Sequence, residues 1–270
     1  MHNSSPISQI SPSSTNVNTG IDPSTASRAR AMAFERWAQP SAQFDQHLQE
    51  SLETLQKAWQ DLKPIKQASS LGAEDVVITH MIESLGLDIP VFILETGALH
   101  HQTLALLERT QASSRLSIEI YRPAHEEVLH FVKTKGQGAI YRSIEDRKAC
   151  CDIRKLKPLA LALEGQRAWI TGLRREQSHA RAEVGLIDNS ELASKNWTKV
   201  NPLVNWTWSD VWHYIELHQV DYNPLHDEFY PSIGCAPCTR AISMGEEFRA
   251  GRWWWEDESA KECGLHVSKA

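Results

Sequence analysis

Short apolar segments alternate with helical segments through the middle of this sequence, and this alternation restricts the fold more than any other feature. Strand patterns begin at Ile65, Pro90, Leu116 and Ala168, and helical patterns separate them. Such alternation is typical of repeated βαβ units, which form a parallel sheet with helices on both faces. We therefore predict an α/β fold with a parallel twisted sheet flanked by helices.

Loops that follow three of the predicted strands begin at Ser69, Glu95 and Thr171. In a parallel sheet the carboxyl ends of the strands lie at one edge, and ligands bind beyond that edge. We therefore expect these three loops to open onto one crevice.

The two ends of the chain differ from its middle. Residues 1–28 hold eight serines, three prolines and one acidic residue, so they have too few large apolar side chains to offset the entropy of ordering. We predict a disordered tail over 1–28, a folded α/β domain over 29–250 and a separate C-terminal segment over 251–270. Within the domain, Phe44 to Leu62 reads as an amphipathic helix, and the chain after Asn205 reads as Trp-rich and loop-rich.

Charge and hydropathy exclude several classes of protein. The 270 residues include 28 Lys and Arg against 34 Asp and Glu, a net charge of −6. A field of this sign does not attract nucleic acid or an anionic membrane, so we expect neither partner. We find no apolar run of about 18 residues and no secretory signal, and the expected location is the cytoplasm. An anionic ligand would need a local basic pocket.

Two loop motifs suggest an anion site. The first contains Ser69, Ser70, Gly72, Glu74 and Asp75 between a strand and a helix, where backbone N–H groups can cradle a phosphate. An ordinary capped helix start explains these residues equally well. The motif lacks the Lys of a P-loop.

The second motif contains Gly172, Arg174 and Arg175 after the fourth predicted strand. Two adjacent arginines can contact phosphate or sulfate oxygens in pairs. The alternative is the solvated basic start of a helix.

The five cysteines are too few for a disulfide-stapled scaffold. Cys150 and Cys151 are adjacent, and Cys235 and Cys238 form a C-x-x-C pair. Four thiolates can hold zinc or an iron–sulfur cluster, and the adjacent pair favours the cluster because neighbouring side chains diverge. A structural zinc site or four buried cysteines remain alternatives. Cys263 is left as a candidate reactive thiol or an incidental surface cysteine.

Seven motifs in a fixed order, spread over about residues 65 to 268, resemble the thioredoxin-dependent assimilatory adenylyl-sulfate reductases, relatives of the phosphoadenylyl-sulfate reductases. They are SSLGAED, LETG, KACCDIRK, TGLRREQS, NPLVNWTW, GCAPCTR and ECGLH. The resemblance implies an adenine nucleotide alpha hydrolase-like fold. It also implies a mobile, loop-rich C-terminal segment, 251–270, that carries the nucleophile Cys263.

The same resemblance implies one 4Fe-4S cluster per subunit, bound by Cys150, Cys151, Cys235 and Cys238. It implies adenylyl sulfate as substrate, thioredoxin or glutaredoxin as reductant, and a homo-oligomer. The substrate-binding residues that it implies, together with the two loop motifs, are Ser69, Ser70, Gly72, Glu74, Asp75, Thr96, Gly97, Lys155, Gly172, Arg174, Arg175, Arg249, Arg252 and His266. Arg147 stands where the resemblance suggests His, and we assign it no role.

Three other functions stay open at this point. A phosphoadenylyl-sulfate reductase or a dual-substrate enzyme would differ only in accepting a 3′-phosphate. An ATP-dependent adenylating enzyme of the same superfamily would carry a Ser-Gly-Gly-x-Asp-Ser loop, from which SSLGAED departs. A non-enzymatic iron–sulfur sensor would need neither Cys263 nor the arginine clusters.

Overall fold

The computed structural model of the protein describes residues 32–178 and 181–257. The predicted alternation of strands and helices is confirmed in this part of the chain. The strands are β1 (Ile65–Ser69), β2 (Val91–Leu94), β3 (Ile118–Tyr121), β4 (Ala168–Ile170), β5 (Ile187–Asp188) and β6 (Thr198–Val200). The tail predicted over 1–28 lies outside the described residues.

The strands form one sheet in the order β3-β2-β1-β4-β6-β5. Every neighbouring pair is parallel except β5 and β6. Strands β2 and β3 lie on one side of β1, and strands β4, β6 and β5 lie on its other side. The order therefore reverses between β1 and β4, the kind of point at which ligands bind in open α/β sheets.

Nine helices surround this sheet in the described residues. They are α1 (Ala33–Trp37), α2 (Phe44–Asp61), α3 (Ala73–Ser84), α4 (His101–Ser113), α5 (His125–Lys135), α6 (Ile144–Cys151), α7 (Lys157–Ala162), α8 (Leu192–Lys195) and α9 (Trp208–His218). A π-helical turn, Asp152–Leu156, joins α6 to α7. None of these helices has the length and apolarity needed to cross a bilayer.

Helix α9 corrects the expectation of a loop-rich chain after Asn205. The helix begins with a capping box, in which Thr207 and Asp210 exchange hydrogen bonds of 2.9 and 3.0 Å. It buries Trp212 and Ile215 on the same face. The tryptophans in this region are therefore partly core residues of a helix.

Helices cover both faces of the sheet, as predicted. Neighbouring residues on a strand point to opposite faces. Phe92 and Trp169 belong to one apolar cluster, with Leu159 from α7. Their neighbours Ile93 and Ile170 belong to a larger cluster on the other face. The larger cluster also holds residues of α2, which confirms the amphipathic helix predicted there.

Candidate active site

The loop after β1 folds around the carboxylate of Asp75. The backbone N–H and the hydroxyl of Ser70 both donate to Oδ2 of Asp75, at 2.7 and 2.6 Å. Gly72 is the N-cap of α3, so the loop continues directly into the helix. Ser69, Ser70, Gly72, Glu74 and Asp75 all line one cavity of about 200 Å³ beyond the strand ends, called the sheet-edge cavity below.

The loop after β4 packs against this first loop. A Cβ atom at Gly172 would lie 2.5 Å from Oδ1 of Asp75 and 2.9 Å from Cβ of Glu74. Burial raises the pKa of the Asp75 carboxyl to about 6, although hydrogen bonds from Ser70 and from the Gly172 backbone oppose the rise. Thr171 and Gly172 line the sheet-edge cavity. The two loops thus meet between β1 and β4, where the strand order reverses.

The loop after β2 supplies a third wall. Thr96 lines the sheet-edge cavity, and its Oγ1 lies 3.3 Å from Sγ of Cys235. This confirms that the three loops open onto one crevice. Gly97 is not among the lining residues; it has a φ of +67°, and Nη1 of Arg154 would lie 3.1 Å from a Cβ there. The positive φ and the close approach of Arg154 explain why glycine occupies this position.

Arg174 and Arg175 do not line the sheet-edge cavity. Arg174 is fully buried and donates to Oε1 of Glu74 and Oε2 of Glu176, at 2.9 and 2.8 Å. Arg175 donates to the carbonyl oxygen of Val184 at 3.0 Å. The structure thus gives both arginines protein partners, and their predicted contact with a ligand stays a prediction.

Four other basic residues line the cavity. Lys155, Arg249 and Arg252 were expected from the sequence, and Arg181 joins them. Arg252 donates to the carbonyl oxygen of Ile233 at 3.2 Å, which places its guanidinium at the cavity wall. The cavity therefore carries the local positive charge that an anionic ligand requires.

Two further lining residues had no assigned role in the sequence. Gln177 donates to Oε1 of Glu74 at 2.9 Å and so joins the buried pair of Arg174. His226 is buried, and burial lowers its pKa to about 4. Its Nδ1 lies 2.7 Å from the carbonyl oxygen of Tyr230, so Nδ1 is the donor. Gln177 lies within a quoted motif, whereas His226 has no local signal that would find it.

The four predicted cysteine ligands line a second cavity of about 220 Å³, called the cysteine cavity below. None of the four is in a disulfide bond. Cys150 and Cys151 end α6, and Cys235 and Cys238 flank a short 3₁₀ turn. Burial and the neighbouring Cys235 and Cys151 raise the pKa of the Cys238 thiol to about 12.

Within residues 32–178 and 181–257, no three His, Cys, Asp or Glu side chains converge closely enough on one point to hold a single metal ion. The four thiols instead surround a shared volume, beside the basic side chains of Arg147, Arg154 and Lys155. Iron–sulfur clusters take four thiolates as ligands, so four cysteines that line one cavity supply the donor set of such a cluster. Lys155, Cys235 and Trp253 line both cavities.

The C-terminal segment is described only as far as Asp257. Cys263 and His266 lie outside the described residues. Arg252 and Trp253, just after the predicted boundary, are buried at 6% and 1% exposure, and the boundary at residue 251 stays a prediction. The indole of Trp253 packs with Cys235 and Cys238. Trp253 therefore contributes to packing around these two cysteines.

Comparison with known proteins places these features in a family. The family model described as "Phosphoadenosine phosphosulfate reductase domain" matches residues 64–241. Adenosine 5′-phosphosulfate reductase of Allochromatium vinosum is 48% identical over 216 residues, covering 80% of this chain and 84% of that protein. The protein of the same name from Burkholderia cepacia is 49% identical, covering 76% and 81%.

Among solved structures, the phosphoadenylyl-sulfate reductase of Candida auris in complex with phosphate superposes with a TM-score of 0.59 at 26% identity. The match covers 76% of this chain and 98% of that one. Candida glabrata FMN adenylyltransferase, at 12% identity and a TM-score of 0.53, shares the fold alone. The resemblance carried by the seven motifs is confirmed, and the chain belongs to the phosphoadenosine phosphosulfate reductase family.

Proposed function

We propose that this protein reduces adenylyl sulfate to sulfite and AMP in sulfate assimilation, with thioredoxin or glutaredoxin as the reductant. The observation that carries the proposal is the shared wall between two cavities. Lys155, Cys235 and Trp253 separate a basic cavity at the sheet edge from a cavity lined by four cysteines. The curated relatives named adenosine 5′-phosphosulfate reductase support the same substrate.

The sheet-edge cavity would hold the nucleotide and its sulfonate. The loop at Ser70 and Gly72 and the loop at Gly172 would form the walls that hold the AMP portion. Lys155 and Arg252 would lie against the sulfonate and the bridging oxygen. A thiolate that approaches this anion meets like charge, so preorganised cations lower the barrier most in a cavity that excludes water.

The first chemical step transfers an SO3 group to Cys263. The Cys263 thiolate attacks the sulfonate sulfur, a sulfur–sulfur bond forms, and the bond from sulfur to the phosphate oxygen breaks. AMP leaves with the electron pair of that bond. His266, three residues further along the chain, would help to hold the anionic adduct in the cavity.

The second step uses an external dithiol protein. One of its thiolates attacks Sγ of Cys263 and releases sulfite with the electron pair of the sulfur–sulfur bond. The second thiol of the reductant then resolves the mixed disulfide and returns Cys263 to its thiol. The dithiol thus supplies both electrons, and Cys263 must reach the substrate cavity and the reductant in turn.

Cys150, Cys151, Cys235 and Cys238 would hold one 4Fe-4S cluster. When bound, the cluster supplies charge and fixes the loops that carry these cysteines, and it is not the electron donor. The thiol-based second step requires a reducing compartment, which supports a cytoplasmic location. A homo-oligomeric state stays a prediction from the resemblance.

The nucleophile is tested with Cys263→Ser and, as a control in the same segment, Ser259→Ala. With adenylyl sulfate carrying labelled sulfur and no reductant, we expect the wild type and Ser259→Ala to take up label on Cys263. Cys263→Ser should bind AMP normally and remain unlabelled. Label retained covalently by Cys263→Ser would contradict the assignment.

A second candidate is a phosphoadenylyl-sulfate or dual-substrate reductase, favoured by the similarity to the Candida auris enzyme. Comparing kcat/KM for the two nucleotides separates the possibilities, because only the 3′-phosphate differs. We expect adenylyl sulfate to be preferred. Purification without air, with measurement of iron content and visible absorption, tests the cluster, and a colourless zinc-loaded protein would refute it.

A further inference from the structure

The described chain before Asp257 is bound to the C-x-x-C loop. The backbone N–H of Arg240 donates to the carbonyl oxygen of Gly251 at 3.0 Å, and Trp253 N–H donates to the carbonyl oxygen of Cys238 at 3.2 Å. Thr239 and Arg252 form an antiparallel bridge. Residues 251–256, called the base of the C-terminal segment below, are therefore attached to one of the two cysteine-bearing elements.

A buried ion pair attaches the same base to the other cysteine-bearing element. Arg147, on α6, donates from Nε and Nη2 to the two carboxylate oxygens of Glu256, at 3.0 and 2.7 Å. The two side chains are 0% and 3% exposed. A paired, two-point contact of this kind fixes direction as well as distance.

The surroundings of the pair make its geometry rigid. The Arg147 guanidinium lies 4.8 Å from the ring centroid of Trp253. Trp253 has a φ of +42°, a left-handed conformation that a bulky residue adopts only when its neighbours hold it there. Glu256 N–H donates to the carbonyl oxygen of Trp253 at 2.8 Å, which closes a tight turn. The chain thus leaves this turn in a defined direction beside both cavities.

We propose that Arg147 and Glu256 are positioning residues that fix the chain at Glu256, seven residues before Cys263, and so help to bring the Cys263 thiol to the substrate. The inference rests on the proposed function, in which Cys263 accepts the SO3 group. Cys263 follows Glu256 by seven residues, a reach of about 25 Å for extended chain. Without the pair, Glu256 loses both side-chain contacts of its carboxylate, whereas Trp255 still packs against Tyr141 and the cluster of Cys235, Cys238 and Trp253.

Breaking the pair removes the fixed direction of the chain at Glu256, and transfer needs an aligned nucleophile, so that a small misplacement slows it. We therefore expect the transfer of SO3 to Cys263 to slow at least threefold when the pair is broken, while AMP affinity stays within twofold of the wild type.

The test changes Glu256, because Arg147 also contacts the Cys151 thiol and its loss would disturb the cysteine cavity. Glu256→Gln keeps the shape and removes the charge, and Glu256→Asp keeps the charge. Glu127→Gln is the matched control, since it breaks the exposed ion pair of Glu127 with Lys157. Single-turnover labelling of Cys263 is measured by peptide mass spectrometry, together with AMP affinity.

Limited proteolysis gives a readout that needs no substrate. Trypsin should cleave after Arg252 faster in Glu256→Gln than in the wild type, because the base of the segment opens. Glu256→Asp should recover part of the transfer rate, and Glu127→Gln should match the wild type in both assays.

The outcomes separate the two proposals. If the wild type labels Cys263 and Glu256→Gln labels it less than threefold more slowly, the positioning role is overturned and the proposed function stands. If the wild type does not label Cys263, the proposed function fails and the inference fails with it. Loss of AMP binding in both Glu256 variants would also overturn the inference, because the pair would then hold the whole fold.

Discussion

Replacing Gly172 with alanine tests the contact between the loops after β1 and β4. The new Cβ would lie 2.5 Å from Oδ1 of Asp75 and 2.9 Å from Cβ of Glu74. Neither neighbour can yield easily. The Asp75 carboxylate is held by two hydrogen bonds from Ser70, and Glu74 is paired with buried Arg174. Relief of the clash must therefore move one loop away from the other.

Overpacking of a closely packed site costs about 1–3 kcal/mol. For a domain of this size, that cost lowers Tm by roughly 2–4 °C per kcal/mol. The effect on ligand binding should be larger than the effect on stability, because the displaced loops form the walls of the sheet-edge cavity. We expect Gly172→Ala to weaken AMP binding at least tenfold, on the scale of about 1.4 kcal/mol for each factor of ten.

Isothermal titration with AMP and thermal unfolding measure the two effects on the same protein. Gly138→Ala is the control, because a Cβ there meets no atom within 4 Å and the residue has no positive φ. Its Tm and AMP affinity should match those of the wild type. If Gly172→Ala binds AMP within twofold of the wild type and keeps its Tm, the close packing of the two loops does not shape the site.

Three further changes test the charges around the cavity. In steady-state kinetics with adenylyl sulfate, Lys155→Ala should lower kcat at least tenfold with little change in Tm. Lys157→Ala is the control, because it removes only the exposed ion pair with Glu127, and its kcat should equal that of the wild type. The pKa of His226 is about 4 in the folded protein and 6.5 in the unfolded chain, so burial of the neutral imidazole favours folding fully above pH 6.5. The free energy of unfolding should therefore fall by about 3 kcal/mol as the pH drops from 6.5 to 4. Urea unfolding across that range should show a smaller fall in His226→Gln, and equal slopes would refute the assignment. Glu74→Gln leaves buried Arg174 with only the exposed carboxylate of Glu176 as an ionic partner, so we expect a loss of about 3 kcal/mol in urea unfolding, and a loss under 1 kcal/mol would contradict this.

The sheet and its crevice could be predicted from the sequence because both depend on local patterns. Strand and helix periodicity located four of the strands, and parallel topology alone placed the loops at Ser69, Glu95 and Thr171 on one edge. The two short strands β5 and β6 were not predicted, since two or three residues carry no periodicity. Helix α9 was not predicted, because the many tryptophans indicated a loop-rich region and the capping box at Thr207 was not used.

The partners of the arginines could not be predicted, for a different physical reason. Arg174 and Glu74 are 100 residues apart, and Arg147 and Glu256 are 109 residues apart. Whether an arginine meets a ligand or a carboxylate of the same chain depends on which acidic residue the fold brings beside it. The adjacent arginines therefore predicted positive charge near this loop, but not the carboxylates that Arg174 meets.

The net charge of the cavity resolves an apparent conflict with the net charge of the chain. The whole sequence carries −6, yet an anionic substrate needs a positive site. Arg174 offsets part of the negative charge of Glu74, and the raised pKa of Asp75 reduces the charge of the second carboxylate as pH falls toward 6. Lys155, Arg181, Arg249 and Arg252 outnumber these two acids at the cavity wall. Buried Arg174 thus reduces the negative charge that Glu74 brings to the cavity, so a chain of net negative charge can still present a positive site.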